Sequence, residues 1–130
     1  MGKAIRVEIS PGELIDKLTI LEIKRDRIED PAKLANVNLE YEELRRAWDV
    51  EAPKAPAVHE LWARLRAVNE RLWVTEDEIR ECERRRDFGE RFVELARDVY
   101  KTNDVRSEIK REINLGLGSA LVEEKSYKPY

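Results

Sequence analysis

Apolar residues recur every three or four positions through most of this chain, and that spacing predicts helices almost throughout. Four stretches stand apart, at residues 11–29, 31–49, 57–86 and 90–115. Side chains at this spacing share one face of a helix, which can be buried against a neighbour. Only a few residues separate the last two stretches. The predicted fold class is therefore all-α: an elongated bundle of about four helices built on a long antiparallel helical hairpin.

The ends of the chain and the helix boundaries carry their own signals. Ser10, Pro11 and Glu13 have the types and spacing of a helix start, with a capping serine and a proline at the first helical position. Ile5–Ile9 alternates apolar and polar residues, as does the tail at 121–127, so both ends are expected to be short extended segments that can pair. Thr102-Asn103-Asp104 lies inside the fourth stretch, so a kink or a split there is left open.

Length and charge limit what the chain can be. We expect 1–130 to be a single helical domain, since 130 residues is close to the commonest domain size. Charged residues make up 41%, yet the net charge is only −3, so we expect no nucleic-acid partner and no membrane partner. A single cysteine, no long apolar run and no signal peptide among the first residues predict a cytoplasmic protein.

Polar and charged side chains interrupt the apolar faces of the third and fourth predicted helices. With Lys17 of the first predicted helix, we call this set the polar seam; it consists of Lys17, Asn69, Glu76, Arg80, Asn103, Arg106 and Lys110. Charges beside a core cost free energy unless they are paired or used. The seam is therefore either a structural network or a pocket for an anionic group. In both cases we expect Arg80 and Arg106 to point inward, while Arg84–Arg86 stay in solvent.

We predict neither a metal site nor a cofactor. His59 is the only histidine, whereas a carboxylate-bridged di-iron bundle needs a Glu-x-x-His pair on each of two helices. Gly116 and Gly118 follow a helix and not a strand, so they are typical of a helix end and not of a phosphate loop. Cys82 falls on an apolar stripe and is expected to be buried. No catalytic residue can be named, and whether the chain is an enzyme is left open.

The long hairpin is expected to keep apolar surface that the first two helices cannot cover. This predicts a homodimer that buries the hairpin, with Trp62, Trp73 and Tyr100 as aromatic candidates for its interface. Two functions remain open. The first is a non-catalytic binding or scaffold module with a protein partner. The alternative is a small-molecule enzyme or sensor that binds an anionic ligand in the polar seam.

Several stretches of the chain also resemble a known family. They lie at residues 10–24, 68–77, 95–104, 109–114 and 122–127. Together they span almost the whole chain, and they resemble a bacterial, mostly proteobacterial, helical domain family of unknown function. The resemblance implies no catalytic residues. It does imply neighbouring glycosyltransferase or tetratricopeptide modules, and hence an accessory role in a carbohydrate pathway.

Overall fold

The computed structural model describes residues 3–130, and within that range it contains four helices and no strand. The helices are α1 (Pro11–Arg27), α2 (Pro31–Glu51), α3 (Val58–Arg85) and α4 (Glu90–Gly116). The all-α bundle predicted from the sequence is confirmed, and each helix begins and ends within a few residues of its expected position.

The first two helices begin with side-chain caps. The Ser10 hydroxyl accepts a hydrogen bond from the Glu13 N–H at 3.1 Å, and a proline follows the serine. Asp30 caps α2 in the same way, accepting from the Lys33 N–H at 2.9 Å. Such caps satisfy backbone donors that have no partner inside the helix, which is why the chain enters a helix at these two points.

The hairpin of α3 and α4 turns at Arg86, whose φ of 55° is left-handed. Along α4 the helix runs unbroken through residues 102–104, so the split considered from the sequence does not occur. Polar side chains in this stretch bond elsewhere and do not compete with the helix backbone. Asn103 accepts from Arg106, and Asp104 accepts from Lys125 of the C-terminal tail.

Helix α1 lies across the inner half of the hairpin and contacts both α3 and α4, whereas α2 packs against α1. The C-terminal end of α2 reaches α3 where the Trp48 and Trp62 rings meet edge to face, with centroids 5.4 Å apart. One core cluster is shared by α1, α3 and α4; it contains Ile15, Val58, Leu65, Ile109 and Ile113. The outer half of the hairpin, towards its turn, extends beyond α1.

The expectation that the two ends of the chain can pair is wrong for the described residues. Ile5 and Val7 are 91% and 72% exposed and belong to no strand. Charges hold the C-terminal tail against α4 instead. The Lys125 ammonium lies 3.2 Å from the Asp104 carboxylate, and the Tyr130 hydroxyl donates to that carboxylate at 2.7 Å. The tail is thus held along α4, and it forms no strand with residues 3–9.

Candidate functional site

Asp16 on α1 is the centre of the polar seam, although the sequence analysis did not single it out. Its side chain is only 2% exposed. Arg106 on α4 forms a bidentate ion pair with it: Nε donates at 2.9 Å to one carboxylate oxygen, and an Nη donates to the other. Asn69 on α3 donates to the same carboxylate at 2.9 Å. Three helices therefore meet at one buried carboxylate. The available signal was a charged residue placed between the apolar residues Ile15 and Leu18.

Lys110 forms the second half of the network, one turn further along α4. Its side chain is 8% exposed, and its ammonium lies 2.7 Å from Glu13, 3.3 Å from Glu123 and 4.0 Å from Asp16. These carboxylates come from α1 and from the C-terminal tail. The Glu13 carboxylate is thus paired with Lys110. The ammonium links the start of α1, the last third of α4 and the tail.

The pKa values in the network shift in the directions expected of mutual pairing. Burial raises the pKa of Asp16, but hydrogen bonds from Arg106 and Asn69 and the charges of Arg106 and Lys110 outweigh it, so the pKa falls below its ordinary value. Burial likewise lowers the pKa of Lys110, but Glu13 and the neighbouring carboxylates raise it above its ordinary value. Both groups are therefore held in their charged forms.

Close approach of α1 and α4 requires the glycine at position 12. The Gly12 N–H donates to the Asn114 side-chain oxygen at 2.7 Å. A Cβ atom on Gly12 would lie 2.6 Å from the Lys110 backbone oxygen, closer than real contacts allow. Asn114 is fully buried, and its Nδ2 finds no acceptor within residues 3–130. The contact sets the position of α1 that brings Asp16 to Arg106.

Among the residues predicted for the seam, some converge on Asp16 and others do not. Asn69, Arg106 and Lys110 surround it, and Asn103 supports Arg106 by accepting from it at 3.3 Å. Lys17 lies on the outer side of α1; its side chain is 48% exposed, and its ammonium is 3.9 Å from Glu13. It belongs to the rim of the network.

The expectation that Arg80 points inward is wrong. Its side chain is 71% exposed and bonds to Glu76 one turn earlier on the same helix. The physical reason is that α1 ends near Glu70, which accepts from Arg27 at 3.0 Å, so no helix covers α3 at Arg80. Arg84–Arg86 are exposed, as predicted.

An open cleft of about 500 Å³ lies beside the network, where α1 ends over the hairpin. Four apolar side chains line it: Ile20, Ile23, Leu72 and Trp73. The polar residues that line it are Asn69, Glu76, Asp77, Arg80, Asn103 and Arg106. Arg106 is therefore shared between the cleft and the buried Asp16, and the polar side of the cleft carries charges of both signs.

The three aromatic candidates for an interface have different surroundings. Trp62 donates to Glu22 at 3.0 Å and packs against Trp48. Tyr100 packs against Tyr130 of the tail, with ring centroids 5.4 Å apart. Trp73 lines the cleft. Of the three, Trp73 is therefore the one placed to contact a molecule in the cleft.

Across residues 3–130, no group of three or more His, Cys, Asp or Glu side chains is placed to hold a metal ion. Over the same range, none of the helices combines the length and the apolar character that crossing a membrane requires.

Comparison with known proteins identifies a family. The model of a family described as a family of unknown function (DUF6165) matches residues 5–130. Neither a curated protein nor a solved structure matches the chain. The matched range includes all four helices, the polar seam and the C-terminal tail.

Proposed function

We propose that this chain, which belongs to the DUF6165 family of unknown function, is a non-catalytic helical module that binds a protein partner. One observation carries the proposal: each charged side chain of the polar seam is already paired with an opposite charge. Arg106 pairs with Asp16, Lys110 with Glu13, and Arg80 with Glu76. At Arg106 and Lys110 the seam therefore links α4 to α1.

The same pairing argues against the alternative of a pocket for an anionic ligand. An incoming anion has to compete with carboxylates already held at hydrogen-bond distance. At Arg106 it has to displace Asp16, a buried carboxylate that is held by two hydrogen bonds. At Lys110 it has to enter between carboxylates of α1 and the tail. Displacing Asp16 leaves a buried carboxylate without its arginine, which costs more than a surface anion contact returns.

The cleft and the uncovered half of the hairpin supply the surface for a partner. Residues seven apart share a face of a helix, so Leu72 and Ile79 continue the cleft along α3, as Phe92 and Val99 do along α4. All four side chains are only partly buried. A groove with an apolar floor and a charged rim suits an amphipathic helix, which lays its apolar face into such a groove. Helices of the glycosyltransferase or tetratricopeptide modules that the sequence resemblance implies are the first partners to test.

A ligand screen tests whether the polar seam binds an anion, which is the alternative to this proposal. Inorganic phosphate, sulfate and citrate are titrated into the protein while its melting temperature is measured. We expect the same small, non-saturating rise for wild type and for Arg106→Lys, because such anions are excluded from the protein surface and stabilise folded proteins without binding a site. A saturable rise in wild type that Arg106→Lys abolishes would establish an anion site and overturn the proposal.

A matched pair of surface variants tests the groove. Ala96 is exposed and shares the α4 face of Phe92 and Val99, so Ala96→Arg obstructs the groove. Ala67 is also exposed but lies two residues from Asn69, on the opposite side of α3 from the seam, so Ala67→Arg is the control. We expect a partner protein that binds wild type and Ala67→Arg not to bind Ala96→Arg. Equal capture by both variants would exclude the groove.

The homodimer predicted from the sequence is one form of the same proposal, with a second copy's hairpin in the groove. Sedimentation of the two variants distinguishes this form. If a second copy occupies the groove, Ala96→Arg lowers the dimer fraction and Ala67→Arg leaves it unchanged. If the partner is a different protein, neither variant changes the sedimentation of the isolated chain.

A further inference from the structure

Residues 3–9, which we call the N-terminal segment, are extended and exposed, although their sequence has the pattern of a strand. Ile5 is 91% exposed, Val7 72% and Ile9 37%. Within the described chain, the backbone of this segment makes no hydrogen bond. An alternating apolar strand with free backbone donors and acceptors is a template for pairing with another strand.

Within this molecule the expected partner is already engaged. The tail at 121–127 is the other alternating segment, and it is held along α4 by ion pairs of Glu123 with Lys110 and of Glu124 with Arg111. The remaining described residues are helices and the short connections between them, which present no strand edge. Among residues 3–130, the N-terminal segment therefore has no strand partner.

We propose that the N-terminal segment pairs with the same segment of a second copy, as an antiparallel two-stranded ribbon centred on Val7. In this register Ile5 lies opposite Ile9 of the partner subunit, and Arg6 lies opposite Glu8 of the partner subunit. The two-fold symmetry repeats both pairs. All apolar side chains then share one face of the ribbon, and each opposite-charge pair lies on the other face.

Charge selects the antiparallel register over a parallel one. A parallel in-register pair would place Arg6 beside the partner's Arg6 and Glu8 beside the partner's Glu8. Like charges directly across a ladder are unfavourable, whereas opposite charges stabilise it. An isolated two-stranded ribbon is marginally stable in water, so we expect association that is weak and increases with protein concentration. This pairing is independent of the groove and of the partner proposed for it.

Cysteine cross-linking tests the register directly. In a Cys82→Ala background, Val7→Cys places two thiols on the symmetry axis, where paired residues have Cα atoms about 4.5–5.5 Å apart, within the range of a disulfide. Ile5→Cys is the control, because the two copies of that residue lie about 13 Å apart along the ribbon. We expect mild oxidation to give a covalent dimer with Val7→Cys and monomer with Ile5→Cys. Equal cross-linking of both, as in a parallel ribbon, or of neither would overturn the proposal.

Charge reversal provides a second test that needs no added cysteine. Arg6→Glu alone and Glu8→Arg alone each oppose like charges across the ribbon, so each should lower the dimer fraction in sedimentation. The double variant Arg6→Glu/Glu8→Arg restores opposite charges and should return the dimer fraction to that of wild type. Helical circular dichroism checks that all the variants fold. A double variant that dissociates as fully as the single ones would refute the pairing, and Ala96→Arg separates this association from any through the groove.

Discussion

Replacing Arg106 with methionine removes the charge that faces Asp16 and keeps a side chain of similar length. The Asp16 carboxylate then stays almost fully buried, with its hydrogen bond from Asn69 and with Lys110 4.0 Å away. Removing one partner of a buried ion pair typically costs ~3–5 kcal/mol of unfolding free energy. Because Lys110 compensates in part, and because the Arg106 side chain is 30% exposed, we expect a loss of about 3 kcal/mol, at the lower end of that range.

The loss should depend on pH in a direction that follows from the pKa of Asp16. In wild type this pKa is lowered, so the stability it contributes is present above the unfolded-state value, 3.8, and is lost as pH falls through the lower folded-state value. In Arg106→Met only Asn69 and Lys110 remain to offset the effect of burial, so the pKa of Asp16 rises relative to wild type. A raised pKa favours the folded state as pH falls through it. The difference between wild type and variant should therefore shrink from pH 7 towards acid.

Urea unfolding at a series of pH values measures this difference, and Arg80→Met is the matched control. Arg80 is also paired with a carboxylate, but its side chain is 71% exposed. Exposed pairs contribute about 0–1 kcal/mol, so the control should unfold close to wild type. In the Arg106→Met background, Asp16→Asn should recover stability at pH 7 because it removes the unpaired charge. Equal, pH-independent losses for Arg106→Met and Arg80→Met would refute the reasoning.

Three further outcomes follow from the geometry. Gly12→Ala should lower the unfolding free energy by ~1–3 kcal/mol in urea, because its Cβ meets the Lys110 backbone; Gly116→Ala, which meets nothing within 4 Å, should cost nothing. Cys82 is 8% exposed, so Ellman's reagent should modify it slowly in native protein and rapidly in urea, and rapid native modification would contradict the packing of the hairpin. Because the pKa of Lys110 is raised, Lys110 contributes unfolding free energy that is present below the unfolded-state pKa, 10.5, and should be lost as pH rises above it. In Lys110→Met this loss of stability at high pH should be absent.

The fold was predictable because helical periodicity is repeated over many residues. A stripe such as Val58, Leu65 and Leu72 carries the same signal at several positions, so one ambiguous residue does not change the prediction. The helix starts at Ser10 and Asp30 were predictable for a different reason, since capping chemistry is local. The pairing of the chain ends was not predictable in this way, because the alternation of residues 5–9 indicates a strand and does not identify its partner.

The site was predictable only in part, because a network depends on which helix lies opposite. Asn69, Arg106 and Lys110 were found from polar residues at core spacing. Arg80 has that same spacing, but α1 ends before it, and the length of α1 relative to the hairpin cannot be read from α3 alone. Asp16 was missed because a single charge inside an apolar stripe looks like an exposed position when its partners are 53 and 90 residues away.

The central claim is that the Arg106 guanidinium is paired with Asp16 and does not bind an external anion. Nuclear magnetic resonance of the Arg106 Nε–H, assigned with Arg106→Lys, tests this most directly. We predict that the Arg106 Nε–H proton exchanges slowly with water. Its resonance should not move when inorganic phosphate or citrate is added, and it should shift in Asp16→Asn. A saturable shift on adding either anion, with no change in Asp16→Asn, would contradict the account.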